Sequence, residues 1–349
     1  MKTLLLAALF FCAAGVSARA DDDKPFKVAF DWSFGLGDWF HFHKKEAPPA
    51  AAASGEAFKI VSWNMQTIGA HVDPADHAAF SSFFKELFAD PAAKVLTAQE
   101  IANQDGSNAV MSMLGAENGK WTEGFKDTGD AMDNAFYVKG GVTIECQRPV
   151  FDDRSLSKHP AQLAHMRVGD FDFTLITVHL NFKAGQSAAS AAELRHLLDW
   201  LREHLNKPGA DPDVVIAGDF NMPTAAGREQ SVRHSASVTA VDEVVAEYPM
   251  FRDGNLVTLV DEPTSRNKQG EAVNNYDHFI LTGHLFHGAY VKDSAKRVPQ
   301  AVLDRLTAIE NANGTHVSDH FPIWGEFRAG GVGGDGQPIK PDGARTCGL

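Results

Sequence analysis

Six short polar clusters carry the side chains of this chain that are equipped for chemistry. Asn64 follows Ile60-Val61-Ser62-Trp63, Gln99-Glu100 follows Val95-Leu96-Thr97-Ala98, and His179 follows Leu175-Ile176-Thr177-Val178. Asp219 and Asn221 stand in Gly218-Asp219-Phe220-Asn221, Asp277 in Asn275-Tyr276-Asp277-His278, and Asp319 with His320 in Ser318-Asp319-His320-Phe321-Pro322. Carboxylates and amides without cysteine favour a hard, oxygen-seeking cation over zinc: Mg²⁺ above all, with Mn²⁺ as its substitute. Histidines beside carboxylates supply what a metal cannot, namely proton transfer or donation to a developing negative oxygen. Such a set suits phosphate ester hydrolysis, in which the metal neutralises phosphate charge while water attacks in line. Each cluster alone has a plainer reading. An Asp after a strand is usually a turn or cap, a lone His179 in an apolar strand reads as a core histidine, and Asn64 reads as a turn former.

The elements that must position these groups are short. Phe58 to Trp63, Val95 to Ala98, Ala135 to Val138, Phe173 to Val178, Val214 to Ala217, Phe279 to Leu281 and Phe321 to Phe327 are rich in β-branched and aromatic residues and predict strands. Most begin or end at one of the polar clusters, so strands packed side by side would gather those clusters along one rim. Phe80, Phe83, Phe84, Leu87 and Phe88 recur at helical spacing behind Asp73-Pro74, and Leu194, Leu197, Leu198, Leu201 and Leu205 form a second stripe. Both stripes are core faces without chemical meaning.

The 349 residues include 45 acidic and 32 basic side chains. An apolar fraction of 44% excludes wholesale disorder. The only long apolar run, Leu4 to Val16, is too short to span a bilayer, which excludes a multispanning membrane protein. With Lys2 before it and Ala18-Arg19-Ala20 behind, residues 1–20 read as a signal peptide cleaved before Asp21, and the expected location is secreted, periplasmic or extracellular. Losing Lys2 and Arg19 would take the net charge from −13 to −15. So acidic a chain cannot hold nucleic acid by phosphate neutralisation alone; a polyanion must be met by a local basic patch or by bound divalent metal. Residues 21–57 hold an aromatic-rich segment, Phe26 to Phe42, and a Pro/Ala linker. The catalytic core is expected over 58–328, with a Gly-rich tail over 329–349. Cys146 and Cys347 either form one disulfide or remain two free thiols.

Taken in chain order from Phe58 to about Phe327, the six clusters resemble the motifs of the endonuclease/exonuclease/phosphatase superfamily typified by pancreatic-type deoxyribonuclease. Ser62-Trp63-Asn64 looks like its opening strand, Ala98-Gln99-Glu100 its metal-binding pair, and Val178-His179-Leu180 its internal histidine motif. Gly218-Asp219-Phe220-Asn221, Tyr276-Asp277-His278 and Ser318-Asp319-His320-Phe321-Pro322 resemble the later signatures. The resemblance implies an α+β fold, a four-layer α/β/β/α sandwich of two packed, mostly antiparallel sheets with helices on the outer faces. It implies that Glu100 binds the metal with Asn64 and Asp319 near it, and that Asp219 and Asn221 orient or activate water and hold the phosphate. His320, backed by Asp277, and His179 from the other side would contact the phosphate or move a proton. Two departures concern the substrate side. No residue among Asp130, Asp133 and Asn134 matches cleanly the acid that supports the first histidine, and the arginine upstream of the histidine strand is replaced around Lys158-His159-Pro160.

The superfamily cleaves several phosphate esters, so fold does not fix substrate. Ile216 to Pro223 and Tyr276-Asp277-His278 lack the flanking residues of inositol phosphatases. The expectation is an exported, Mg²⁺-dependent phosphodiesterase acting on DNA as a deoxyribonuclease-like endonuclease, with no stable protein partner implied. The alternatives are a sphingomyelinase-type phospholipid hydrolase, with Phe26 to Phe42 touching the membrane, and a catalytically inactive binding protein. Lys183, Arg195, Arg228, Arg266 and Lys268 are candidate backbone clamps, each with a plainer reading as solvated surface charge.

Overall fold

The computed structural model describes residues 55–330, apart from 69–76, 116–120, 130–131, 152–156, 158, 183–186, 208–209, 231–237, 249–259, 261 and 268–269. The signal-like start, the aromatic segment, Asp73-Pro74, Asp130, Lys158, Lys183, Lys268 and the tail with Cys347 lie outside the described residues.

Two mixed sheets carry the architecture. The first runs β12 (Lys296–Arg297), β13 (Ile323–Ala329), β1 (Glu56–Ile68), β2 (Ala93–Ile101), β4 (Asp133–Val138), β3 (Thr122–Phe125). The second runs β11 (Asp277–Leu281), β8 (Val214–Asp219), β7 (Phe171–His179), β6 (Gln162–Val168), β5 (Val142–Pro149). A small ribbon pairs β9 (Ser265–Arg266) with β10 (Ala272–Asn274). Within the two large sheets every pairing is antiparallel except β1 with β2 and β7 with β8. Parallel neighbours need a crossover, and each pair has a helix in it: α1 (His77–Leu87) between β1 and β2, α3 (Ser187–Leu205) between β7 and β8.

Side-chain alternation along the strands builds three apolar layers. Phe58 and Ile60 of β1 face Phe173 and Leu175 of β7 and Val215 and Ala217 of β8 between the sheets. Phe58 anchors that layer, its ring 5.4 Å from Phe173 and 5.5 Å from Phe327. The odd residues Val61 and Trp63 turn the other way, onto Phe80, Phe83, Phe84 and Leu87 of α1, Met113 of α2 (Gln104–Met113) and Leu303 and Leu306 of α7 (Gln300–Asn313). Ile176 and Val178 do the same on the second sheet, against Leu194, Leu197, Leu198 and Leu201 of α3 and Val241 and Val244 of α5 (Val241–Val245). Both leucine and phenylalanine stripes are thus core faces, and the four layers are helix, sheet, sheet, helix. The remaining short helices are α4 (Ala225–Gln230) and α6 (Gly283–Gly288).

All of the predicted strands but the last run longer than their apolar kernels, β13 begins two residues later than expected, and β3, β5, β6, β9, β10 and β12 are not among the predicted ones. β5 carries Glu145, Gln147 and Arg148, and β6 carries His165 and Arg167. Their polar residues hide the period-2 pattern because they meet one another across the ladder instead of water. Cys146 on β5 is disulfide-bonded.

Candidate active site

The carboxyl ends of both parallel pairs meet at one edge of the sandwich, where loops following parallel strands leave a crevice. Register sets the lateral positions. Asn64 pairs with Gln99, His179 with Asp219, and Asp219 with Asp277. The close packing of β7 on β8 needs glycine at 218, where a Cβ would stand 2.0 Å from the Val178 carbonyl oxygen at φ +147°. Four non-glycine residues at this edge, Gln66 (φ 46°), Thr67 (φ 55°), Glu100 (φ 59°) and Asn221 (φ 50°), occupy the left-handed region. Such strain persists only where the surroundings fix it. Asn221 is fixed by its N–H to Asp219 Oδ1 (2.8 Å) and its Nδ2 to the Leu180 carbonyl (2.8 Å).

Asn64 joins the two sheets. Its Nδ2 donates to Glu100 Oε1 and to Asp219 Oδ2, both at 2.9 Å, and its Oδ1 accepts from the Gln66 N–H at 2.9 Å. Gln99 beside it spans the sandwich from Nε2 to Thr177 Oγ1 at 2.9 Å. On the far side Asp277 Oδ2 lies 2.8 Å from His320 Nδ1, and His320 Nε2 lies 3.5 Å from Asp219 Oδ2. His179 faces the same carboxylates, its Nε2 3.5 Å from Glu100 Oε1 and 3.8 Å from Asp219 Oδ2. All of the sequence-predicted site residues except Asn64 and Asp277, which stand behind them, line one cleft of about 380 Å³. Asp319 is exposed at its mouth.

Burial dominates the electrostatics. It pushes Asp219 up to about 6, against the pull of His320 and His179, and it raises Glu100 despite the Asn64 hydrogen bond. Burial alone would lower His320, but the Asp277 and Asp219 carboxylates on its two ring nitrogens outweigh it and push the ring up to about 10. Glu100, Asp219 and Asp319 present carboxylate oxygens to one cleft without a thiolate, which fits Mg²⁺ or Mn²⁺.

Several supports were not foreseen in the sequence. Trp63 Nε1 donates to the His320 carbonyl (2.9 Å), Ser318 Oγ bonds the Asn64 carbonyl and accepts from the His320 N–H, and Thr264 Oγ1 accepts from the Asp277 N–H (3.0 Å). His159 stacks on His179 with ring centroids 4.8 Å apart, at the place where the sequence departs from the superfamily arginine. Phe182, 63% exposed, also lines the cleft. Three of the five candidate phosphate clamps are tied to glutamates instead. Arg266 is buried, its Nε on the Ser318 carbonyl (2.8 Å) and its Nη atoms on both carboxylate oxygens of Glu310 (2.6 and 2.5 Å), because Glu310 on α7 offers a fully buried partner. Arg195 and Arg228 are tied to Glu247 and Glu243. Asp133 is held by Thr128, and Asn134 donates to the Pro160 carbonyl.

The family model of the Endonuclease/Exonuclease/phosphatase family matches residues 61–320. D. rerio TDP2 complexed with a single strand DNA product superposes with a TM-score of 0.50 at 18% identity, over 78% of this chain and 99% of that one. A humanized D. rerio TDP2 gives 0.50 at 17% over 78% and 99%, and truncated Caenorhabditis elegans TDP2 gives 0.45 at 18% over 78% and 98%. No curated protein matches the sequence.

Proposed function

The chain belongs to the endonuclease/exonuclease/phosphatase family, whose members are divalent-metal-dependent hydrolases of phosphate esters, and on that premise we propose that it is an exported Mg²⁺-dependent phosphodiesterase that cleaves DNA as a deoxyribonuclease-like endonuclease. The observation that carries the reading is the line Asp277, His320, Asp219 facing Glu100 across one cleft. Glu100, with Asp319 at the mouth, would hold the cation, which when bound neutralises phosphate charge. Asn64 keeps Glu100 and Asp219 at fixed separation through one amide nitrogen. Asp277 fixes the His320 ring through Nδ1, so that Nε2 points at the cleft as a donor to a non-bridging or leaving oxygen. Asp219, pinned by the Asn221 N–H, stands where it can take the proton of the attacking water. His179 reaches the same space from β7 as a second donor.

DNA is favoured over phospholipid by Phe182. It is the exposed large hydrophobic side chain among the described residues and lies at the cleft, where a splayed base would stack on it. Stacking contributes about 1–3 kcal/mol per base. Phe182→Ala should therefore raise the KM for plasmid or oligonucleotide cleavage by ~5- to 150-fold. Hydrolysis of a small aryl phosphodiester should be unchanged. Equal effects on both, or hydrolysis of sphingomyelin without DNA cleavage, would refute the nuclease assignment. The signal-like residues 1–20 support export, and removal of that segment on secretion, read by mass spectrometry, tests it.

A further inference from the structure

A second cluster of ligand-type side chains lies away from the cleft. His165 on β6, Asp172 on β7 and Asp211 ahead of β8 are all buried, and one ligand atom from each lies within 4.8 Å of the others. Glu145 of β5 joins them, its Oε2 3.9 Å from His165 Nε2. The cluster sits on the outer face of the second sheet, at the end opposite the active site. Thr174, the register partner of His165, pairs with Val214 at the start of β8, whereas His179 pairs with Asp219 at its end. Those five residues of strand separate the two places by roughly 17 Å.

The imidazole points to a ligand. His165 is 5% exposed, and its Nδ1 lies 3.2 Å from Thr174 Oγ1, which fixes the ring. Its Nε2 is buried without a hydrogen-bond partner among the described residues, aimed between Asp172 Oδ2 (3.5 Å) and Glu145 Oε2 (3.9 Å). Glu145 Oε2 is likewise buried without a hydrogen bond, although Arg167 holds the other oxygen of that carboxylate. In tetrahedral zinc sites with Zn–N and Zn–O near 2.0–2.1 Å, adjacent ligand atoms stand ~3.3 Å apart. Here the carboxylate oxygens stand 3.5–3.9 Å from the ring nitrogens, Asp211 Oδ2 nearest Nδ1 at 3.7 Å, and the His165, Asp172 and Asp211 atoms lie within 4.8 Å of one another, so a bound ion would draw them together. Asp172, Asp211 and half-buried Glu145 crowd one imidazole, and Arg167 pairs only the far oxygen of Glu145, an arrangement that favours a further cation. Cys146, the register partner of His165, is disulfide-bonded and offers no thiolate. One imidazole among carboxylates selects a borderline divalent ion over Mg²⁺ or Ca²⁺.

We propose that His165, Asp172, Asp211 and Glu145 form a second divalent-cation site, of the Zn²⁺ class, which clamps β5, β6, β7 and the entry to β8 and takes no part in hydrolysis. The test uses the full chain carrying Glu100→Gln and Asp219→Asn, which weakens metal binding at the active site. After loading with Zn²⁺ and gel filtration, metal analysis should find a single retained equivalent, and excess Zn²⁺ should raise Tm by at least ~4 °C. Adding Asp172→Asn or Asp211→Asn should weaken Zn²⁺ binding at least ~10-fold. X-ray absorption of the Zn²⁺-loaded chain needs no variant at the cluster and should show one imidazole in a shell of light donors without sulfur. No retained Zn²⁺, affinity unchanged in both variants, or a shell with several imidazoles would overturn the site.

Discussion

Glu310→Gln should be among the most damaging single substitutions in the chain, although Glu310 does not itself line the cleft. Glu310 is fully buried and Arg266 nearly so, and the two meet through a pair of hydrogen bonds of 2.6 and 2.5 Å. Glu310 also accepts from the Val317 N–H at 2.9 Å. Removing the charge of one partner strands the other in a medium that cannot solvate it, a loss of about 3–5 kcal/mol for a buried pair. At roughly 2–4 °C per kcal/mol for a domain approaching this size, Tm should fall by ~6–20 °C. Arg266 also bonds the Ser318 carbonyl and donates its own N–H to the Asp319 carbonyl (2.8 Å), so the segment bearing Asp319 and His320 is built on it. Arg266→Met with Glu310→Leu should recover most of the stability, since well-packed apolar replacements of buried pairs are often neutral or better. It should not recover kcat, because the Ser318 carbonyl loses its donor. Urea unfolding and phosphodiester hydrolysis on Arg266→Met, Glu310→Leu and the double give the cycle. A loss under ~1 kcal/mol for Glu310→Gln, or full activity in the double, would refute this reasoning.

Activity should vanish with a chelator and return with Mg²⁺ or Mn²⁺, and Glu100→Gln should raise the metal concentration for half-maximal rate; full activity in chelator would exclude the metal reading. His320→Ala should lower kcat on the order of 10²-fold or more, and Asp277→Asn added to it should cost little further, as expected for groups that act as a unit. Additive losses would show that Asp277 does not work through His320. A chain beginning near Glu56 should nick plasmid as well as the mature chain, because β1 starts there and every candidate site residue lies on β1 or after it. Selective loss on sphingomyelin liposomes would instead point to a lipid hydrolase anchored by the aromatic segment.

How legible the molecule is from sequence depends on where each residue's partner lies. The Trp63-Asn64, Gln99-Glu100 and Val178-His179 clusters are visible because each ends an apolar run, and the strand itself marks the residue as sitting on the rim. The stripes of α1 and α3 are visible for the same local reason, since helical spacing fixes which side chains share a face. β5 and β6 escape notice because the polar residues His165, Arg167 and Glu145 are turned onto one another across the ladder, and hydrophobic periodicity cannot register that. Arg266 is the sharpest case. In sequence it stands in a polar stretch and reads as a surface cation free to hold phosphate. Its partner is Glu310, 44 residues later on a helix whose own pattern gives no reason to bury a carboxylate. A charge becomes a structural strut or a substrate clamp according to a tertiary contact alone. The same kind of contact bears on how a strongly acidic chain would meet the polyanion proposed as its substrate. Among the described candidate clamps, Arg195, Arg228 and Arg266 are each tied to a glutamate, so on the proposed reading these three leave the phosphate to a bound cation and to His320 and His179. On that reading a bound cation would supply the positive charge that these three arginines do not.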